Sequence, residues 1–458
     1  MTTLIKNGTI VTATDMYNAD ILIRGGMIAE IGKDIAKITE EMIDATDRYV
    51  FPGAIDAHTH LGLADQTIPT ADDFESGTIA AALGGTTTVI DYAHQAADVS
   101  LQDTLAAWMR KAEGKAVIDY ALHLSMYDWT DAALDEIGSL INAGVTSFKC
   151  SLVNARDAND GMLYRTMRRI NEQGGLMCVH AENGQVIGAL TRYLLNNRRG
   201  EPRFYPLSRP PEIEGEATGR VITFAEMLKA PVYFVCLSSA HALERVKSAR
   251  DRGSPVYAET CPHYLVLSQE CYEDGNGQGA KYVCSPPLRP KWHQEVLWRG
   301  LTSNDLQVVA SDHAPYNFKN QKDIGQEDFT KIPEGLPTIE HRLPVLYNSG
   351  VLKNRISLNR LVDLLATAPA KIFGLFPKKG TIAVGSDADL VVFDPTAEGV
   401  LSCELQSSKA DYNLYEGQKI RGAVTSVFSR GVPVVKAGKL VGRTGAGEFL
   451  KRRTFVAQ

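Results

Sequence analysis

From residue 54 to residue 375, short β-type runs alternate with helical stretches. "AIDAHTH" precedes a helix predicted over Phe74–Leu83, "TTTVIDYA" one over Leu101–Ala112, and "VIDYALHLSM" one over Asp131–Ile141. "VTSFKCSL" precedes Met162–Glu172, "LMCVHAEN" precedes Val186–Leu195, and "VYFVCLSS" precedes Ala240–Arg252. "PVYAETCPHYLVL" leads to His293–Leu301, and "LQVVASDH" to a helix from Leu343 onward. Strands separated by helical crossovers pair in parallel. Eight such units close the sheet on itself, so this stretch is expected to be a (β/α)8 barrel of TIM type.

The two ends have a different texture. Residues 1–53 ("LIKNGTIVTA", "ADILIRGGMIAEIG") and 376–458 ("GTIAVGSDADLVVFDP", "AVTSVFSRGVPVVKAGKLVG") read as short strands with turns. Asn7-Gly8 and Gly25-Gly26 carry hairpin signals. Neither end is long enough for a comfortable core alone. The expectation is one smaller β-sandwich domain built from both termini, with "FLKRR" in an exposed or intersubunit tail.

The charge balance excludes some functions. Net charge is −6 over 458 residues, with both signs interspersed. Binding to nucleic acid or to an anionic membrane has no electrostatic support. No apolar run approaches the roughly 20 residues that span a bilayer, and the first residues lack a secretory pattern. Seven scattered cysteines without a CxxC fit a reducing, cytoplasmic setting better than a disulfide framework.

Barrel chemistry sits at the C-terminal ends of the strands, and metal-ligand residue types gather there. His58 and His60, two apart, share one strand face, with Asp56 in the same phase. Lys149 ends the fourth strand, His180 the fifth, Cys236 the sixth and Asp312 the eighth. Taken singly each has an ordinary structural reading: core hydrogen bonds for the histidines, a helix cap for Asp312. Their coincidence on successive strand ends favours a metal centre. A buried ammonium at Lys149 costs several kcal/mol or gives up its proton. A neutral amine can take up carbon dioxide as a carbamate, an anion able to bridge two cations. The alternative is an ion pair with Asp312 or Glu182. His263 reads as a supporting or structural residue ending strand seven, and His313 as pointing away from the site.

Essentially the whole chain resembles the amidohydrolase superfamily, specifically the dihydropyrimidinase/D-hydantoinase family. The resemblance is carried by "YVFPGAIDAHTHLGL", "DDFESGTIAAALGGTTTVIDY", "TSFK", "VHAENG", "LSRPPEIEGEATGR", "ETCPHYLVL", "SPPLR", "SDHAP", "DFTKIPEGLP" and "GLFPKKGTIAVGSDADLVVFDP". It implies two divalent ions, zinc by type, bridged by N6-carboxylated Lys149 and a hydroxide. His58, His60, Lys149 and Asp312 would hold one ion, and Lys149, His180 and position 236 the other. Asp312 would shuttle the proton. Ser285 and residue 334 would contact a cyclic ureide or imide, which opens to an N-carbamoyl amino acid. A homotetramer is implied as well.

Three positions depart from the family pattern. Cys236 replaces a histidine, as a thiolate ligand or as a small buried apolar residue. The loop after Lys149 looks about two residues shorter and lacks the family's oxyanion tyrosine, leaving Asn154 as the nearest polar stand-in. Glu334 replaces an asparagine. It would favour a cationic or donor-rich ligand, or face solvent while the main chain acts. Alternatives to a hydantoinase or dihydropyrimidinase are an allantoinase or another cyclic-amide hydrolase, and a non-catalytic scaffold on the same fold.

Overall fold

The computed structural model describes residues 2–37, 39–65, 68–156, 159–273 and 277–455. One parallel sheet holds eight strands: Ala54–Thr59, Thr86–His94, Asp119–Met126, Ser147–Ser151, Leu176–His180, Val232–Phe234, Val256–Thr260 and Val308–Val309. Each lies beside its neighbour in sequence. The eighth strand is too short to zip fully onto the first. Arg342, 1% exposed, supplies the missing bonds. Its guanidinium donates to the carbonyls of Ile55 at 2.9 Å and Val309 at 3.0 Å. Above it the His60 amide donates to the His313 carbonyl at 2.9 Å, and the Ser311 amide to Asp56 Oδ1 at 3.0 Å. The barrel is thus closed beside the residues expected to hold metal.

The crossover helices begin where the sequence offers side-chain caps. Asp73, Ser100, Thr130, Asn159, Asn183 and Ser239 each accept a backbone amide of the first turn, satisfying donors a helix start leaves free. One long helix, Pro211–Leu228, was not expected, because Pro211, Gly215 and Gly219 weaken the helical signal. Gly215 has a packing reason. A Cβ there would lie 2.8 Å from His241 Cβ, so only glycine lets this helix press on Ala240–Asp251. The strand expected to run through His263 instead ends at Thr260, and Pro262–Val266 is helical, since proline starts a helix more readily than it continues a ladder.

Both termini build one mixed sheet. Tyr49–Pro52 pairs antiparallel with Leu390–Phe393, joining the N-terminal strands to the C-terminal ones. Gly25-Gly26 is the expected hairpin turn, with φ of 58° and 84°. Asn7-Gly8 is not a turn. It forms a bulge inside strand Thr2–Val11, with Asn7 at φ 61°. A Cβ on Gly8 would meet Val50 Cγ2 at 2.6 Å, so close packing, not chain reversal, selects this glycine. Lys379, 1% exposed, ties sheet to barrel through Asp119 at 2.7 Å, Asp387 at 3.0 Å and Asp389 at 2.6 Å. Among the described residues no helix is long and apolar enough to cross a membrane.

Candidate metal centre

His58 and His60 turn their Nε2 atoms toward each other at 3.2 Å. Asp312 Oδ1 lies 3.1 Å from His58 Nε2 and 3.3 Å from His60 Nε2. Lys149 Nζ is 3.1 Å from His58 Nε2 and 4.3 Å above the Tyr92 ring. The far sides of both imidazoles are occupied. His58 Nδ1 meets Glu259 at 2.5 Å, and His60 Nδ1 meets His94 Nε2 at 2.8 Å. A proton on His58 Nδ1, donated to Glu259, leaves the Nε2 lone pair facing inward. Such outward carboxylate partners fix ligand histidines. Two facing lone pairs repel without a cation between them, so the donor set fits a metal.

Electrostatics keeps the ligands in binding form. Burial pushes His60 down to about 3, so its imidazole is neutral. Burial alone would raise Asp312, but His58, His60 and Lys149 outweigh it and hold its carboxyl below the usual range. Asp312 and Cys236 adopt left-handed backbone, at φ 51° and 46°, a strained choice for these residue types that clusters at functional sites. Lys149 is buried and, among the described residues, forms no ion pair with Asp312 or Glu182. The expected alternative of a simple buried salt bridge is therefore not what the fold provides.

His180 and Cys236 form a second donor pair. His180 Nδ1 lies 3.5 Å from Cys236 Sγ, while its Nε2 meets Glu182 at 2.9 Å. Burial pushes the Cys236 thiol well above its ordinary value, with Asp312 adding to it and Lys149 opposing, so a thiolate there needs a neighbouring cation. Burial would raise Glu182, but Arg209 and His180 draw it down to about 2.

The remaining candidates are sorted by a residue the sequence reading left without a role, Arg209. One of its nitrogens donates to Glu182 at 2.8 Å and Ser285 Oγ at 3.1 Å, the other to Glu334 Oε1 at 2.8 Å. Tyr205 also donates to Glu334 Oε1 at 2.8 Å. The Glu334 charge is thus paired by arginine and tyrosine, which removes the reason to expect a cationic ligand. Asn154 is exposed on the turn after Ser147–Ser151, its amide bonded to Ser151 Oγ at 3.1 Å. Among the described residues it is not joined to this network. Asp56, expected to support the histidines, accepts the amides of His58 and Ser311 at 3.3 and 3.0 Å. His313 points away, to Asp72 at 3.1 Å.

Glu259 was also missed. It holds His58 Nδ1, the Tyr233 hydroxyl at 2.7 Å and the Cys236 amide at 3.2 Å, so one buried carboxylate organises three strand ends. Its signal was available, since it lies two residues after Tyr257 on one phase of the seventh strand.

Fold and site together define a barrel metallohydrolase. The amidohydrolase family model matches residues 49–434. The D-hydantoinase of Geobacillus stearothermophilus is 51% identical over 460 residues, covering 100% of this chain and 98% of that protein. A crystal structure of dihydropyrimidinase from Brevibacillus agri NCHU1002 is 48% identical and superposes with a TM-score of 0.98 over 100% of both chains. The L-hydantoinase (dihydropyrimidinase) of Arthrobacter aurescens, 28% identical, superposes at 0.91 over 98% of this chain and 99% of that one. The chain belongs to the amidohydrolase family, and within it to the dihydropyrimidinase/D-hydantoinase family.

Proposed function

We propose that the protein is a metal-dependent hydrolase that opens the amide bond of a cyclic ureide or imide, of hydantoin or 5,6-dihydropyrimidine type, to an N-carbamoyl amino acid. The observation that carries this reading is the convergence of His58, His60, Lys149 and Asp312 within 3.1–3.3 Å contacts, in a chain 51% identical to a D-hydantoinase. His58, His60, Lys149 and Asp312 would hold one divalent ion, and Lys149, His180 and Cys236 a second. Zinc suits this mixture of imidazole, carboxylate and thiolate. Bound there, such ions would polarise the ring carbonyl and acidify water.

The chain's own groups do the rest. Lys149 nitrogen attacks the carbon of carbon dioxide, forms an N–C bond and sheds one proton, giving the anionic carbamate. Asp312, kept ionised by His58 and His60, accepts a proton from the attacking water. It returns that proton to the ring nitrogen as the C–N bond breaks. Main-chain groups at Ser285 and Glu334 orient the ring. A cytoplasmic homotetramer follows the family resemblance. The seven free thiols support the compartment.

The test is a ring-opening screen over both enantiomers of hydantoins, dihydropyrimidines and allantoin, with zinc and bicarbonate supplied, alongside metal analysis and a mass measurement of Lys149. Turnover with two metals per chain and one carbon dioxide adduct supports the reading. A metal-free, inert protein with plain lysine, after growth in zinc, overturns it. Cys236 gives a narrower check. Cys236→Ala should lower metal content from two per chain toward one, and should abolish the sulfur-to-metal absorption that cadmium loading produces in the parent. Unchanged stoichiometry and an unchanged cadmium spectrum would assign Cys236 to packing alone.

A further inference from the structure

Lys322 is fully buried, with 0% exposure, and among the described residues it forms no ion pair with a carboxylate. A buried ammonium without a counter-ion is costly. This one is held by two carbonyls, Val283 at 2.8 Å and Pro333 at 2.9 Å. Val283 stands two residues before Ser285, and Pro333 immediately before Glu334. The Gly335 amide also donates to the Val283 carbonyl, at 3.1 Å. The Ala314 amide donates to the Leu336 carbonyl, also at 3.1 Å, tying the second loop to the segment that carries Asp312.

We propose that Lys322 is a positioning residue, whose ammonium sets the spacing of the Ser285 and Glu334 loops and thereby the affinity for the cyclic amide. The affinity part rests on the substrate reading above; the loop-spacing part does not. Lys322 acts through the loops, because its hydrogen bonds go to the main-chain carbonyls of Val283 and Pro333.

Burial draws Lys322 down to about 7, against the opposing pull of Cys284 and Glu334. The groups around it are identifiable. Cys284 is pushed up to about 12 by burial, and Glu334 is engaged by Arg209 and Tyr205. Lys281 and Tyr282 lie on the turn Gln278–Tyr282, Lys331 pairs with Asp328 at 3.6 Å, and Asp323 follows on the same turn. The folded protein therefore loses the Lys322 proton as pH rises through neutrality, whereas an unfolded chain keeps it to near 10.5. Hydrogen bonds from a charged donor are roughly twice as strong as neutral ones, so the loops loosen above that pH.

The test compares the parent with Lys322→Met and Lys322→Gln as metal-loaded proteins. In Lys322→Met, KM should rise about tenfold while kcat changes less than about threefold, the scale of losing charge-assisted bonds. Amide exchange should accelerate in residues 283–288 and 333–337 and stay unchanged in the barrel strands. Lys322→Gln, which keeps donors, should fall between, and both variants should lack the rise in KM with pH that is expected near 7 in the parent. Exchange unchanged in both loops, or faster throughout the barrel, overturns the proposal. If no cyclic amide is opened by the parent, the substrate reading fails while the exchange comparison still decides the clamp.

Discussion

Replacing Lys149 with alanine is expected to lower kcat/KM by at least about 10³-fold, the scale of several kcal/mol of lost Lewis-acid stabilisation. The side chain is buried beside His58 and Tyr92 and, among the described residues, forms no ion pair. A plain ammonium there repels cations that His58, His60 and Asp312 would otherwise bind. A carbamate there would do the opposite, adding an anion that favours divalent ions. Lys149→Ala should therefore lose metal and rate together, measured by elemental analysis and steady-state kinetics. Acetate or propionate, supplied at millimolar levels or above, should restore part of both by placing a free carboxylate in the vacated space. The fold should survive, because among the described residues the substitution breaks no ion pair. A Lys149→Ala protein that keeps both metals and its rate would refute the carbamate role.

The barrel was legible because its signal is repeated. Eight apolar strands alternate with helices, six of which begin at a side-chain cap, and the helices at Phe74–Leu83 and Leu101–Ala112 begin and end where the pattern places them. The ligand types were legible for a related reason. Strand ends set the height of a side chain, so His58, His60 and Lys149 converge from the first and fourth strands, while Asp312 joins them from the left-handed backbone that follows Val308–Val309. What stayed hidden lies off the strands or acts on them from behind. Arg209 follows the short helix Tyr205–Ser208 and reaches Glu182, Ser285 and Glu334 across the fold. No periodicity brings those positions together. Arg342 closes the barrel from a helix start, a job ordinarily done by backbone. The Asn7-Gly8 dipeptide misled for the converse reason: the same pair suits a tight turn and a bulge, and only contact with Val50 decides between them.

Lys379→Met should be the most destabilising single change outside the site. Lys379 is buried against Asp119 on the third barrel strand and Asp387 and Asp389 ahead of the terminal strand Leu390–Val400. Removing it leaves Asp387 and Asp389 without their buried cation, while Asp119 retains Arg430 at 3.1 Å. Breaking a buried pair from one side costs about 3–5 kcal/mol, read as a lower denaturation midpoint at neutral pH. Asp119 opens its strand at the barrel end opposite the ligands, so kcat of the folded fraction should stay near the parent value. The deficit should shrink in acid. Burial raises Asp389 above its ordinary value; with Lys379 gone the rise is larger, so the folded state takes up a proton before the unfolded chain does, and stability recovers as pH falls. Lys379→Met combined with Asp389→Asn should lose less than the sum of the two single changes, because each then removes what the other left unpaired. A midpoint unmoved by Lys379→Met would mean that other contacts between the two, such as Arg430 with Asp119, suffice to hold the terminal sheet to the barrel.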